Sequence, residues 1–346
     1  MSAPVVAGAP ASVRPPLPRF VQIEPVGQCN LRCQMCPVVY REDGPPYGPP
    51  AFMAFETYTA LIEQFTGAEE LQLQGLGEPM MHPRFFEMVA YAARRGLEVS
   101  TNSNMTLLPP TRAEACVRSG LARLHVSIDG ARPETFERIR RRAHFDRVLR
   151  NVRALLDVRD RLGRATPHLH VVTVLMRQNL EELPEVVALA ASLRAEGMFV
   201  QHLAHDFEEE TVPPRYRPMR AFVEEQSLQH EAPERIEACF RAAREAADVR
   251  GLPLRLPRTR PRHHPPGTPG PARCDWPWRG AYVSYQGLAM PCCMVATPDR
   301  AQFGDMAKHG VLPVWHNADY AEFRRRLGSE EPPGVCRSCS VYSGTF

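Results

Sequence analysis

Residues 20–37 read FVQIEPVGQCNLRCQMCP, a short apolar strand pattern followed at once by three cysteines. Cys29, Cys33 and Cys36 lie on the loop after this predicted strand. Three thiolates in such a loop can bind three irons of an iron–sulfur cube and leave the fourth iron without a protein ligand. A structural zinc knuckle is the alternative, but zinc prefers four protein ligands and no fourth candidate is nearby. The stretch therefore predicts a catalytic metal centre that a small molecule can bind directly.

A regular alternation of strand and helix patterns follows this stretch. Short apolar runs and amphipathic segments recur at a spacing typical of βαβ units, whose strands lie parallel. Six such units are too few to close an eight-stranded barrel. We therefore predict an α/β fold in which residues 19–203 form an open, TIM-like partial (β/α)6 barrel. The predicted strands are Phe20–Pro25, Glu70–Gln74, Leu97–Thr101, Leu121–Ile128, His168–Leu175 and Met198–Leu203, and the predicted helices are Thr57–Phe65, Arg84–Arg95, Thr111–Ser119, Pro133–Leu162 and Leu183–Glu196.

The remainder of the chain has a different organisation. We predict a flexible tail over residues 1–18 and a proline-rich linker with one helix, Pro233–Val249, over residues 204–272. Residues 273–346 form a small module that contains cysteines but few apolar residues. Because so small a core stabilises a module poorly, we expect a bound metal centre to stabilise it.

The composition is that of a soluble globular protein. Of 346 residues, 44% are hydrophobic and 23% are charged, which excludes a disordered chain. The formal net charge of +3 does not indicate a nucleic-acid partner. No apolar run approaches the roughly 18 residues of a membrane span, so no membrane association is expected. Because the N-terminus lacks an export-signal pattern, we expect a cytoplasmic protein, in which grouped cysteines more often bind metal than form disulfides.

Three further motifs follow the next three predicted strands. They are Gly75-Leu76-Gly77-Glu78-Pro79, Thr101-Asn102-Ser103-Asn104 and Ser127-Ile128-Asp129-Gly130. Together with the cysteine loop, these motifs resemble those of the radical S-adenosylmethionine (SAM) enzymes over about residues 20–203. Met35 stands where that family often has an aromatic residue, and Leu76 stands where it has a glycine.

The resemblance implies which residues bind the cofactors. Cys29, Cys33 and Cys36 would hold a [4Fe–4S] cluster whose open iron binds the amine and carboxylate of SAM. One electron, from a flavodoxin- or ferredoxin-type donor, would split SAM into methionine and a 5′-deoxyadenosyl radical that removes hydrogen from a substrate. The SAM-binding residues implied by the motifs are Met35, Gly75, Gly77, Glu78, Asn102, Ser103, Ser127 and Asp129.

A second group of cysteines lies near the end of the chain. Cys274 and Cys292 are 18 positions apart, and Cys336 and Cys339 follow. This spacing resembles the SPASM and twitch auxiliary-cluster modules of radical SAM enzymes, in a shortened form that would hold one further [4Fe–4S] cluster. A four-cysteine zinc ribbon is the alternative. Since four thiolates leave no open iron, the resemblance implies either an acceptor for an electron from the substrate or a structural and electron-relay centre.

Two cysteines outside these sets are candidate hydrogen-atom donors to a substrate radical. Cys293 is adjacent to a predicted ligand, and Cys239 lies on the predicted linker helix. Cys293 is alternatively a spare ligand, and either residue is alternatively a buried thiol. A donor role would indicate an epimerase.

Two charged runs each have a structural and a functional interpretation. The arginines Arg138 and Arg140–Arg142 form either a solvated helix face or a docking surface for an acidic electron donor. The acidic residues Asp206 and Glu208–Glu210 form either a solvated loop or, if they face the barrel mouth, a surface that favours a cationic substrate such as an aminosugar.

The sequence as a whole favours radical chemistry on a small-molecule substrate, a polar, sugar-like metabolite of natural-product biosynthesis. Alcohol oxidation is the first interpretation, and radical epimerisation of a similar substrate is the second. The third is modification of a peptide or protein. Because only about 18 residues precede the first predicted strand, we expect no leader-peptide-binding domain in this chain.

Overall fold

A computed structural model describes residues 12–41, 51–203, 207, 209, 211–260, 264 and 267–344. Its described residues form one sheet in the order β7-β6-β5-β4-β3-β2-β1-β8-β9. The strands are β1 Phe20–Ile23, β2 Glu70–Leu73, β3 Glu98–Ser103, β4 Arg123–Ser127, β5 His168–Leu175, β6 Gly197–His202, β7 Leu254–Arg255, β8 Gly280–Val283 and β9 Ala289–Met290.

Helices connect the first six strands and cover one face of the sheet. Those of the barrel are α1 Phe55–Gln64, α2 Phe85–Ala93, α3 Pro110–Arg118, α4 Pro133–Ile139, α5 Phe145–Arg161 and α6 Leu183–Ser192. Those that follow are α7 Arg217–Gln226, α8 Pro233–Asp248, α9 Gly270–Arg273, α10 Trp276–Arg279, α11 Met306–His309, α12 Val311–Trp315, α13 Ala318–Leu327, α14 Gly334–Arg337 and α15 Ser340–Ser343.

Strands β1–β6 form the expected open (β/α)6 arrangement. Each pairs in parallel with the next strand along the chain. Strand β5 shows why these segments become strands: Leu169, Val171 and Leu175 are buried, whereas His168 and His170 alternate with them and are only half-buried. This period of two places the apolar side chains against the helices and leaves the more polar side chains on the concave face.

The prediction of a single helix over Pro133–Leu162 is wrong. It is two helices, α4 and α5, separated by a turn in which Arg142 has a φ of 74°. The turn is held from outside the helix, because the carbonyls of Ile139 and Arg141 accept hydrogen bonds from backbone amides of the cysteine loop. A helical periodicity cannot reveal such a partner, which lies about 100 residues away in sequence.

The C-terminal segment continues the same sheet. Strand β8 pairs in parallel with β1, with Val21 opposite Ala281 and Ile23 opposite Val283. The short strand β7, within the predicted linker, pairs in parallel with β6. The sheet is therefore extended on both sides of the six predicted strands. No helix among the described residues is long and apolar enough to cross a bilayer.

Candidate active site

The first cysteine loop lies at the carboxyl end of β1. Its backbone is anchored by hydrogen bonds from Arg32 N to Arg141 O and from Gln34 N to Ile139 O, each 3.0 Å long. These bonds attach the loop to the turn between α4 and α5. The loop therefore depends on two parts of the barrel, β1 and the α4–α5 turn, for its shape.

The same turn directs Arg140 toward the cysteines. Arg140 is buried, its guanidinium lies 2.7 Å from the Asp129 carboxylate, and its Nη1 lies 3.9 Å from the sulfur of Cys33. Burial opposes the charge of Arg140, but Asp129 and the neighbouring thiols raise its pKa overall. Thus one member of the predicted solvated arginine run is not on the surface; Arg138, Arg141 and Arg142 are exposed.

The three thiols of this loop have the properties expected of ligands to a cationic centre. Burial raises the pKa of Cys29, Cys33 and Cys36, that of Cys36 to about 12, and neighbouring thiols raise those of Cys29 and Cys36 further. Three thiolates this close together and this buried would need positive charge among them, and iron supplies it. The donor set therefore fits an iron–sulfur cluster.

Two glycines bring the second motif against the first. A Cβ on Gly75 would lie 2.3 Å from the Glu24 side chain, and one on Gly77 would lie 2.1 Å from the Val26 carbonyl oxygen. Glu24 is fixed in place, because it is buried, forms an ion pair with Arg41 and accepts a hydrogen bond from the Leu76 amide. Any side chain at Gly75 or Gly77 would therefore displace this loop from the strand that carries the cysteines.

Glu78 joins the second motif to the third. One carboxylate oxygen accepts hydrogen bonds from the Met80 amide (3.1 Å) and the Ser103 hydroxyl (2.8 Å), and the other accepts one from the Asn104 amide (2.8 Å). Burial raises the pKa of Glu78 and outweighs these three hydrogen bonds, which lower it. Glu78 thus holds the ends of β2 and β3 together as well as facing the cavity.

A cavity of about 190 Å³ lies between the motifs. Of the residues predicted to bind the cluster or SAM, those that line it are Cys29, Cys33, Met35, Cys36, Gly75, Gly77, Glu78, Asn102, Ser103 and Ser127. Asp129 is the exception: it is fully buried, pairs with Arg140 and accepts a hydrogen bond from the Val174 amide. Seven further residues that were not predicted to bind the cluster or SAM also line it: Leu31, Pro37, Gln74, Leu76, Asn104, Arg140 and Val174. Arg140 belongs to a run of arginines, and no local sequence signal shows that it points inward.

The second cysteine group lines a larger cavity of about 450 Å³. Cys274, Cys292, Cys336 and Cys339 are all there, as is Cys293, and the first four come from segments far apart in sequence. Burial and the neighbouring thiols raise the pKa of Cys292 and Cys336 well above the ordinary value. This group also fits a cationic centre, for the same reason as the first.

The two hydrogen-donor candidates lie in different places. Cys293 lines the larger cavity, next to Cys292. Cys239 lies on α8, where its thiol donates a hydrogen bond to Glu181, and it is not among the residues that line either cavity.

The two cavities adjoin. Both are lined by Met35, Gln74, Gly75, Asn102 and Val174. A third cavity, of about 700 Å³, continues along the concave face of the sheet and shares Asn102 with both. The SAM-motif residues, the second cysteine group and the barrel interior therefore border one connected space.

The concave face of the sheet is polar. Gln72 donates a hydrogen bond to Gln74 Oε1 (2.7 Å), and the rings of His125 and His170 lie 5.5 Å apart, between centroids. Burial, followed by the charge of His170, lowers the pKa of His125 to about 4. Amide and neutral imidazole groups are suited to hydrogen bonding with a polar ligand.

The one residue of the acidic run that the structure describes, Glu209, does not support the interpretation as a surface for a cationic substrate. Glu209 is buried in an ion pair with Arg300, which satisfies its charge inside the protein. Asp206, Glu208 and Glu210 lie outside the described residues.

Comparisons with known proteins match both cysteine regions. A family model described as the radical SAM superfamily matches residues 23–190, and an SPASM model, described as an iron–sulfur cluster-binding domain, matches residues 274–340. The AdoMet-dependent heme synthase of Methanosarcina barkeri is 28% identical over 335 residues, covering 93% of this chain and 88% of that protein. These matches make SAM and iron–sulfur clusters the cofactors that the two cysteine regions serve.

Two further similar proteins match this chain over a smaller share of their own length. A tungsten-containing aldehyde ferredoxin oxidoreductase cofactor-modifying protein of Pyrococcus furiosus is 25% identical over 190 residues, covering 54% of this chain and 51% of that protein. This chain therefore spans about half the length of that relative. The crystal structure of Streptococcus suis SuiB bound to S-adenosylmethionine has a TM-score of 0.67 at 14% identity, covering 95% of this chain and 72% of that one. The likeness to SuiB shows the shared fold.

Proposed function

Since this chain is a radical SAM enzyme with an SPASM domain, we propose that it oxidises an alcohol group of a small polar substrate by removing two hydrogens. The observation that carries the proposal is the connected space between the two cysteine groups. A substrate held there contacts residues of the SAM site at one end and the second cysteine group at the other. The match to heme synthase also spans both regions and supports a reaction that uses both.

The residues of the first cavity bind and orient the cofactors. Cys29, Cys33 and Cys36 would hold one [4Fe–4S] cluster, and the loop of Gly75 and Gly77 would approach SAM through its backbone. When bound, the cluster and SAM together supply a radical that abstracts a hydrogen atom. Asn102, which borders all three cavities, is placed to contact both SAM and the substrate.

The second cysteine group would hold the electron acceptor for the oxidation. The alcohol carbon loses a hydrogen atom to the radical, and the hydroxyl loses a proton to solvent. The cluster that Cys274, Cys292, Cys336 and Cys339 would hold would supply the acceptor for the remaining electron. The products are a carbonyl compound, 5′-deoxyadenosine and methionine, so the two electrons and two hydrogens of the oxidation are accounted for.

The electron that starts each turnover comes from an external donor of the flavodoxin or ferredoxin type. Arg138, Arg141 and Arg142 are exposed on the α4–α5 segment, whose turn is hydrogen-bonded to the first cysteine loop. An acidic donor docked on these arginines would lie close to the first cluster.

A second candidate function is radical epimerisation. Cys293 lines the same cavity as the second cysteine group, so its thiol is placed to return a hydrogen atom to a substrate radical. This reaction conserves the mass of the substrate, and the thiol hydrogen exchanges with solvent.

The experiment that tests both candidates is turnover of the anaerobically reconstituted enzyme in D₂O, with products measured by mass spectrometry. The panel includes sugars, aminocyclitols and, because of the similarity to heme synthase, tetrapyrroles. Oxidation gives a product two hydrogens lighter, without deuterium, together with one 5′-deoxyadenosine per product. Epimerisation gives an isomer that has gained one deuterium. Failure to form any 5′-deoxyadenosine from SAM in the reduced enzyme would contradict both.

A further inference from the structure

The cavity along the concave face of the sheet contains a group of arginines that the proposed chemistry does not use. Arg255, Arg258 and Arg273 line the space of about 700 Å³ along the concave face of the sheet. Building on the proposed function, we infer that the substrate carries at least one oxyanion, a carboxylate or a phosphate, which these arginines bind.

Sheet register places Arg255 on the concave face. In β7 it pairs with Phe199 of β6, and in parallel strands paired residues point to the same side of the sheet. Phe199 lines the cavity and packs against His170, with ring centroids 5.4 Å apart. The side chain of Arg255 therefore shares the face that carries the inward-pointing residues of β4 and β5.

Arg258 follows β7 and is held by its backbone. Its carbonyl oxygen accepts a hydrogen bond of 2.6 Å from His202, at the end of β6. This bond fixes the main chain at the cavity wall. It uses the backbone of Arg258 and does not involve its guanidinium.

Arg273 enters the cavity from the C-terminal region. It is the last residue of α9 and immediately precedes Cys274, so it connects this cavity to the second cysteine group. Its guanidinium lies 5.3 Å from the ring centroid of Tyr342, and its Nε is buried without a hydrogen-bond partner among the described residues. A ligand oxygen at this position would supply the missing acceptor.

No described carboxylate balances the positive charge of these three arginines. Across the part of the chain that is described, no Asp or Glu lines this cavity or the adjoining one of about 450 Å³. None of the three arginines forms an ion pair with a described carboxylate. Elsewhere arginines do find partners, as Arg300 does with Glu209. Three guanidinium groups facing one polar cavity attract an anion and disfavour a cation.

An anionic substrate is opposite in charge to the cationic substrate that one interpretation of the acidic run favoured. The substrate would place its oxyanion against the arginines and its reactive carbon toward Asn102, which borders all three cavities. The amides of Gln72 and Gln201, which line the space between, would bind the uncharged polar groups of the substrate.

The inference is tested by calorimetric titration of the reconstituted holoenzyme in the presence of SAM at low ionic strength. The probes are glutarate and sn-glycerol 3-phosphate, with glutaramide and glycerol as their uncharged counterparts and 1,5-diaminopentane as a cation. We expect the anions to bind and the uncharged and cationic probes not to bind. The anion that binds more tightly identifies a carboxylate or a phosphate site.

Single substitutions Arg255→Gln, Arg258→Gln and Arg273→Gln should each weaken anion binding by about tenfold, because each removes a charge-assisted hydrogen bond. Arg→Lys at the same positions should lose less, since the charge stays. Arg150→Gln, at an exposed position on α5 outside the cavity, is the matched control and should have no effect.

The inference is overturned if neither anion binds, if the cation binds as well as the anions, or if the three variants bind like the Arg150→Gln control. Release of 5′-deoxyadenosine from SAM, measured on the same preparations, reports separately on the proposed function. Release without anion binding shows that only the substrate class is wrong. Anion binding without release shows that the oxyanion site stands and the proposed function fails.

Discussion

The two cysteine groups of this protein are built in opposite ways. The first comes from one loop of eight residues, whose shape is fixed by the α4–α5 turn, and it has a buried guanidinium, that of Arg140, beside Cys33. The second is assembled from distant segments that contribute Cys274, Cys292 and the pair Cys336 and Cys339. Mostly apolar side chains surround it, among them those of Trp276, Phe323 and Leu327.

The difference shows how the number of ligands determines what each centre can do. Three thiols beside a small cavity leave a position at which a ligand can bind and react. Four or more thiols in an apolar cavity saturate their irons, so that centre can exchange electrons and stabilise structure but has no position for SAM. Substitutions in each cysteine group distinguish the chemistry of the first group from that of the second.

The largest effect is expected from replacing Cys29, Cys33 and Cys36 together with alanine. SAM cleavage should be abolished, and iron after anaerobic reconstitution should fall from about eight to about four per chain, as expected for two four-iron clusters. Iron and sulfide analysis with a 5′-deoxyadenosine assay measures both. Cys116→Ala, at a buried thiol on α3 outside the cavities, is the control. A variant that lost all its iron would show that the two groups are not independent.

Replacing Cys274, Cys292, Cys336 and Cys339 together with alanine should give a different loss. Substrate oxidation should disappear, whereas SAM cleavage should persist within about tenfold, because the first loop keeps its own contacts to β1 and the α4–α5 turn. Product mass and 5′-deoxyadenosine are measured in the same reaction. If oxidation continued, the second group would be a structural centre and a redox-neutral reaction would become the better proposal. If the fold failed, circular dichroism would show it.

A smaller effect is expected from Arg140→Gln, which removes the charge beside Cys33. The buried Asp129 carboxylate would lose its ion-pair partner, and breaking a buried pair typically costs about 3–5 kcal/mol of stability. Loss of a nearby positive charge should also make the first cluster harder to reduce. Thermal unfolding and an EPR-monitored redox titration measure the two effects. Arg141→Gln, at the adjacent exposed residue, should change neither, and equal behaviour of the two variants would contradict the role of burial.

The smallest effect distinguishes the two reactions. If the enzyme is a dehydrogenase, Cys293→Ser should leave product formation within about twofold, because that thiol is then neither an essential ligand nor a donor. Cys239→Ser, on α8 and outside the cavities, should behave the same way. Loss of activity in Cys293→Ser alone, with SAM cleavage retained, would instead support hydrogen return by this thiol and hence epimerisation. Chiral chromatography of the products in D₂O checks the assignment.

Local sequence was sufficient for the barrel and for most of the first site. Short apolar runs located β1 to β6, and each motif follows directly on its strand, so the position of residues such as Gly75, Glu78 and Ser103 beside one cavity could be predicted from the chain alone. Strand ends of a parallel sheet meet at one edge, which brings such motifs together without further information.

Long-range contacts decided what local sequence could not reveal. Arg140 turns inward because the cysteine loop interrupts the helix around it, so its position in an arginine run was misleading. Glu209 is neutralised by Arg300, which lies 91 residues away. Arg255 and Arg273 belong to no motif, and they share a cavity only because β7 joins β6 while α9 leads into Cys274.

The pairing of β8 with β1 also has a consequence for the order of folding. Until residues 280–283 have been synthesised, one side of β1 has no hydrogen-bonding neighbour, and an unpaired strand edge is prone to aggregation. The N-terminal segment can make its contacts only after still later residues have been synthesised. Trp315 donates a hydrogen bond to the Pro15 carbonyl, and Arg324 donates one to the Val13 carbonyl. Contacts between chain segments about 300 residues apart slow folding, since a long loop must close before they form. A nascent chain stalled before residue 280 would therefore carry its first cysteine loop on an exposed strand, the form that a chaperone is expected to bind.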